Sequence, residues 1–133
     1  MTHPFSPGFH LSRTDLLVLW IGAIAAVGVG WIDLALGIAI AFTVGHFFLF
    51  CNVLRMARSR ELIWAGVFLG LALSTLTQGQ PNWVMTFGVA FCVTVIISIV
   101  QLRHPAYHGI AWQYFNPNLP QWWEAVQHKR DTH

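Results

Sequence analysis

The sequence predicts an all-α protein with four antiparallel transmembrane helices and a short, aromatic-rich cytoplasmic C-terminal tail. Charged residues make up only 9% of the 133 residues, whereas soluble domains average about 25%. The segment 62–102 contains no Asp, Glu, Lys or Arg. All the lysines and arginines fall in three short segments, namely the N-terminal arm, one middle loop and the tail. Together these observations indicate that lipid, rather than water, surrounds most of the chain.

Residues 1–15 are predicted to form an irregular N-terminal arm, because Pro4, Pro7 and Gly8 disfavour a helix. The uncharged run 16–32 is the first predicted span. Its length lies at the low end of the roughly 17–25 residues that cross the hydrocarbon layer. Ser12 or Thr14 is expected to cap this helix.

The second span is predicted over 34–54, with Asp33 as its N-cap. Small residues recur at four-residue spacing along all four predicted helices, and such stripes let two backbones approach closely. We therefore expect the helices to pack through these stripes. They are Gly22, Ala26 and Gly30; Gly37, Ala41 and Gly45; Gly66, Gly70 and Ser74; and Ala90, Thr94 and Ser98.

The uncharged segment 62–102 is too long for one span. As a single helix it would measure about 60 Å, roughly twice the hydrocarbon thickness. The only cluster of turn-forming residues inside it is 78–82, Gln-Gly-Gln-Pro-Asn. The sequence therefore predicts a third span over 62–77 and a fourth over 83–102, which completes a transmembrane domain from 16 to 102.

The distribution of positive charge predicts the topology. Arg13, the cluster Arg55–Arg60, Arg103 and the C-terminal Lys129 and Arg130 all lie on one side only if the chain crosses the membrane four times. The positive-inside rule then puts both termini in the cytoplasm. The expected location is a bacterial inner membrane.

His46 is the only histidine inside a predicted span. An ionisable residue at that depth is by default a functional candidate. It is either a neutral histidine hydrogen-bonded to a neighbouring helix or a ligand, with a metal site and a proton relay as further alternatives. The ligand reading is axial ligation of a haem or chlorin. A bis-histidine haem site needs two histidines at matching depth on facing helices, and no other histidine lies in a predicted span. A partner chain or His46 of a second copy would have to supply the second ligand.

The tail, 103–133, is too short for a core of its own and unusually aromatic for a solvated segment. It is expected to lie on the inner membrane surface or to dock onto a partner. The candidate interface residues are Trp112, Tyr114, Phe115, Trp122 and Trp123. His104 and His108, four residues apart around Pro105, are weak candidates for a metal pair.

The chain carries no paired carboxylates, Ser/His/Asp set or phosphate-binding loop, so it is not expected to be an enzyme. A net charge of +2 gives no basic platform for nucleic acid. The first hypothesis is a non-catalytic integral subunit or docking module of a larger membrane complex, respiratory or photosynthetic, that shares a cofactor through His46. The alternative is a small homo-oligomeric channel or transporter with His46 near the pore axis. A weaker hypothesis is a membrane enzyme using His104 and His108. The expected partners are the bilayer and other membrane chains or further copies of this one.

Overall fold

The computed structural model describes residues 5–132. Residues 1–4 of the predicted arm and His133 of the predicted tail lie outside this range. The described chain is 75% helix and has no strand, which confirms the all-α prediction. The elements are α1 (Arg13–Gly30), α2 (Leu34–Phe48), a π-helix (Leu49–Val53) that continues α2, α3 (Arg58–Gln78), α4 (Trp83–Leu102), α5 (Trp112–Phe115) and α6 (Leu119–Asp131). By length and composition, α1, α2 with its π-helix, α3 and α4 can each cross a membrane.

Side-chain caps fix where three of these helices begin. The Ser12 hydroxyl accepts a hydrogen bond from Asp15 N, and the Asp15 carboxylate accepts from Ser12 N in return, which forms a capping box. Asp33 caps α2 as predicted. Asn82 caps α4 in the same manner by accepting from the backbone of Met85. These contacts satisfy N–H groups that have no partner inside their own helix.

The third helix begins at Arg58, four residues before the predicted span. Its N-cap, Ala57, forms no side-chain cap. The first turn of the helix is closed by the Ala57 carbonyl, which accepts hydrogen bonds from the backbone N–H groups of Arg60 and Glu61. Gly79, in the left-handed region at φ 70°, ends the helix. The break therefore falls inside the predicted turn, because a glycine there adopts a positive φ at little cost.

Helices α1 and α2 pack backbone to backbone through glycines. A Cβ added at Gly37 would lie 2.5 Å from the Cα of Gly30 and 2.7 Å from the carbonyl oxygen of Ala26. A Cβ added at Gly22 would lie 2.6 Å from a methyl carbon of Val44. The two helices are therefore closer at these positions than a larger residue would allow, as predicted for Gly22, Gly30 and Gly37, whereas Gly45 of the α2 stripe faces open space.

The expectation that all four stripes pack within the chain is wrong for the third helix. A Cβ added at Gly66 or Gly70 would meet nothing within 4 Å. The reason is that α3 turns a different face, bearing Trp64, Phe68 and Thr75, toward the interior. That face is bulky and partly polar, so it lies outside the small-residue stripe.

Polar bonds connect α3 to α4 inside this face. The Trp64 indole N–H donates to the Thr94 hydroxyl at 2.8 Å and lies 3.2 Å from the Ala90 carbonyl oxygen. Further along, the hydroxyls of Thr75 and Thr86 are 2.7 Å apart. In an apolar surrounding such groups need partners inside the protein, and here they have them.

The N-terminal arm and the tail meet the end of the π-helix. His10 N donates to the carbonyl of Asn52, and Ile110 N donates to the carbonyl of Val53 at 2.8 Å. Gly8 N donates to His108 O at 2.8 Å, which ties the arm to the tail. The carbonyls at the end of the second long helix are thus satisfied by segments from both ends of the sequence.

Candidate cofactor ligand and the adjacent helix ends

His46 lies on α2, half-buried among aromatic rings. Its imidazole is stacked on the indole of Trp64, with centroids 4.6 Å apart and planes 11° apart. The Phe42 ring lies 4.1 Å away, and Phe50 approaches edge-on at 5.7 Å. Phe42, Trp64, Phe68 and Phe87 continue this aromatic cluster between the helices. The ring plane of His46 is therefore fixed by packing on more than one side.

One ring nitrogen of His46 is already committed to the backbone. Its Nδ1 lies 2.8 Å from the carbonyl oxygen of Phe42, one turn earlier on the same helix. A carbonyl only accepts hydrogen bonds, so Nδ1 carries the proton. In the neutral ring Nε2 then holds a lone pair.

Nε2 of His46 has no hydrogen-bond partner among residues 5–132, and it is not a fully buried atom. It is therefore at least partly accessible at the surface of the described chain. Metal-ligating histidines almost always donate their other N–H to a carbonyl, a carboxylate or water, which sets the tautomer and the ring orientation. His46 has this arrangement already.

The alternative of a histidine hydrogen-bonded to a neighbouring helix differs from the observed geometry. Both His46 and Thr43 bond back to their own helix, His46 to the carbonyl of Phe42 and Thr43 to that of Ala39 at 2.8 Å. Contact between His46 and α3 is made by stacking on Trp64 instead. Within the described chain, His46 therefore makes no hydrogen bond to another helix, and its Nε2 has no partner.

The described chain does not complete a metal site. Within residues 5–132 no three side chains of His, Cys, Asp or Glu come together in a way that holds an ion. Cys51 donates to the Glu61 carboxylate at 3.4 Å, and Cys92 is exposed on α4. A metal or haem iron bound to His46 would need its other ligands from outside these residues.

His104 and His108 sit in the loop after α4 with opposite tautomers. The Nδ1 of His104 accepts from Ala106 N at 3.2 Å, so the neutral ring carries its proton on Nε2. The Nδ1 of His108 lies 2.8 Å from the Ala106 carbonyl, so there the proton is on Nδ1 and the lone pair on Nε2. A metal shared through both Nε2 atoms would require His104 to change tautomer. The geometry favours hydrogen bonding over metal binding for this pair.

The aromatic tail is divided between internal packing and exposure. Trp112 and Trp123 both contact Phe5 of the arm edge-on, at 5.9 and 5.7 Å. Trp122 is half-buried, whereas Tyr114 and Phe115 are 88% and 52% exposed. Of the five predicted interface residues, Tyr114 and Phe115 are the ones most open to an external surface.

The sequence did not predict two buried polar groups where the N-terminal arm and the tail meet the end of the π-helix. The side-chain amide of Asn52, oriented to donate, reaches Asp15 Oδ2 at 2.9 Å and His10 O at 2.7 Å. Tyr107 is fully buried, and its hydroxyl donates to the carbonyl of Ile110 at 2.7 Å. Burial raises the pKa of this phenol above its usual value. A lone polar residue at the end of an apolar run was the only signal for Asn52.

No family model matches the sequence, and neither a curated protein nor a solved structure resembles it significantly.

Proposed function

We propose that the chain is a non-catalytic integral subunit of a larger membrane complex, in which His46 provides one ligand to a cofactor shared with a neighbouring chain. The observation that supports this most directly is the open Nε2 of a histidine whose other nitrogen is fixed on the Phe42 carbonyl. In lipid, an acceptor without a partner is costly. A metal-bearing cofactor such as haem or chlorin, or a donor from a partner chain, would satisfy it.

We also infer that the four long helices run antiparallel. Gly22 lies next to Val44 and Gly30 next to Gly37, so residues of the first pair of helices meet in opposite sequence order, which supports antiparallel helices. In the second pair, Thr75 meets Thr86 near the connection, and Arg60 donates to Gln101 at the opposite end. With this arrangement the arginine-rich turn, Arg55–Arg60, and both termini share one side. By the positive-inside rule that side is the cytoplasm, in keeping with a bacterial inner membrane.

Only part of the aromatic tail supports a docking role. Trp112 and Trp123 are engaged by Phe5, so they stabilise the tail on its own chain. Tyr114 and Phe115 are the exposed aromatics and would meet the partner or the membrane surface. Aromatic residues are enriched in both settings.

The test is purification in mild detergent, followed by an absorption spectrum and mass spectrometry of the bound components. The expected result is a pigment or haem together with stoichiometric partner chains. In the His46→Ala variant the absorption should be lost while the chain still inserts. His128→Ala, which removes an exposed histidine of α6, is the matched control and should retain the absorption.

A colourless, single-component oligomer of defined size would contradict the subunit proposal. Ion flux through that oligomer that changes in His46 variants would instead favour the homo-oligomeric channel or transporter. A retained absorption in His46→Ala would show that another residue holds the cofactor.

A further inference from the structure

A pocket of about 440 Å³ lies between the arginine-rich turn and the loop after α4. Its charged lining comes from Arg55, Arg58, Arg60 and Glu61, and the two histidines His104 and His108 complete the polar wall. The turn approaches α4 directly, because the Arg60 guanidinium donates to the side-chain carbonyl of Gln101. The pocket is therefore formed by segments about 45 residues apart in the sequence, at the end of the long helices.

Positive charge in this pocket exceeds negative charge. Three arginines and a single carboxylate residue line it, and within the described residues none of these arginines donates a hydrogen bond to the Glu61 carboxylate. The Glu61 carboxylate instead accepts a hydrogen bond from the Cys51 thiol. Like charges gathered in one pocket repel one another. An anion bound among them would offset this repulsion.

Most of the donor capacity of the turn is unused. A guanidinium carries five N–H donors. Arg55 donates to the carbonyl of Ser6 and Arg60 to Gln101, whereas the exposed Arg58 has no hydrogen-bond acceptor within residues 5–132. The Nε2–H of neutral His104 likewise has no acceptor there. Donors from separate segments therefore line one pocket.

The backbone of the turn is held in an uncommon conformation that keeps Arg55 at the pocket. Arg55 has φ 46°, in the left-handed region that non-glycine residues seldom adopt. The next residue is anchored, since Met56 N donates to the carbonyl of Phe50 at 2.8 Å. Strain of this kind is concentrated at ligand sites. Glycine would fit this backbone at lower cost but would remove the charge.

We infer that this pocket binds the phosphate group of an anionic ligand. Guanidinium groups match phosphate oxygens in geometry and charge. The phosphate has two natural sources at this position, the head group of an anionic phospholipid or free phosphate from solution. Basic pockets between helices at the cytoplasmic surface suit lipid head groups.

The test measures binding to the purified full-length chain in uncharged detergent, by calorimetry and native mass spectrometry. The probes are inorganic phosphate, short-chain phosphatidylglycerol and short-chain phosphatidylcholine. Phosphatidylglycerol should bind and phosphatidylcholine should bind much more weakly, because its head group carries no net charge. Inorganic phosphate binding as tightly as phosphatidylglycerol would identify free phosphate as the source, and binding of the lipid alone would identify the head group.

Three variants locate the site. Arg58→Gln should weaken binding about tenfold, the loss expected for one charge-assisted contact. Arg103→Gln removes the same charge from an exposed residue outside the pocket and should leave affinity nearly unchanged. Glu61→Gln should increase affinity, since it removes the only carboxylate while retaining an acceptor for Cys51.

Equal losses in Arg58→Gln and Arg103→Gln would overturn the inference, because binding would then be a diffuse attraction to a basic surface. Equal binding of the two lipids would overturn it as well. A thermal unfolding curve for each variant confirms that the exposed substitutions leave the fold intact, so a loss of binding reports on the pocket.

Discussion

The indole of Trp64 and the imidazole of His46 lie parallel, 4.6 Å apart, and join α2 to α3 through their ring faces. The same indole donates its N–H to Thr94 on α4. One side chain thus connects three helices and holds the ring of the candidate ligand. Positioning of His46 and stability of the bundle therefore depend on the same residue.

Trp64→Ala should destabilise the protein by about 3–5 kcal/mol, because it leaves a cavity and removes the bond to Thr94. Trp20→Ala, in which a 69% exposed tryptophan of α1 is removed, is the matched control and should cost far less. Reversible unfolding by denaturing detergent measures both. Equal effects of the two substitutions would contradict the central position of Trp64.

Gly37→Ala should separate α1 from α2. The added methyl would meet the backbone of Gly30 and Ala26, which cannot move aside as a flexible side chain does, so we expect a cost of about 1–3 kcal/mol. Gly45→Ala on the same helix faces open space and should be neutral or slightly stabilising through helix propensity. The same unfolding assay applies. A harmless Gly37→Ala would mean that the helices are not in backbone contact.

Tyr107 should make stability fall in alkaline solution. Burial raises its pKa in the folded state above that of the unfolded chain. The contribution of the buried phenol to the free energy of unfolding is therefore complete below about pH 10, the pKa of the unfolded chain. This contribution is lost as the pH rises through the higher pKa of the folded state. Tyr107→Phe should remove this part of the alkaline loss, and should cost about 1 kcal/mol at neutral pH through the broken bond to Ile110.

The matched control for Tyr107→Phe is Tyr114→Phe, which alters the only other tyrosine, 88% exposed. Unfolding curves at neutral and alkaline pH measure all three proteins. The mechanism would be disproved if Tyr107→Phe kept the full alkaline loss of the parent chain.

The helices and their breaks were predictable because they depend on local chemistry. Each signal can be recognised from residues that are neighbours in the sequence. The signals are the uncharged run 62–102, the turn around Gly79 and the cap at Asp33. Long-range contacts were not predictable in this way. The bond between Gly8 and His108 joins residues at opposite ends of the sequence, and no periodicity within either segment records it.

The candidate ligand was visible in the sequence, but its chemical state was not. An isolated histidine in an apolar run identified His46, whereas the choice of tautomer needed the position of the Phe42 carbonyl. The packing face of α3 was missed because it is built from Trp64, Phe68 and Thr75 rather than from small residues. The pocket beside Arg58 escaped prediction for a similar reason, since its walls come from the ends of separate helices and the loops next to them.

The π-helix at Leu49–Val53 has a consequence for how the two halves of the second long helix are oriented. A π turn accommodates one residue more than an α turn, and one residue of an α-helix corresponds to about 100° of rotation. The π turn completes the same full circle with that extra residue, so the segment holds one more residue without turning one half of the helix against the other. Deleting one residue there, with reversion to a regular α turn, should leave the arginine-rich end facing the same way relative to His46. A deletion elsewhere in the helix, where no residue is in excess, should rotate that end by about 100°.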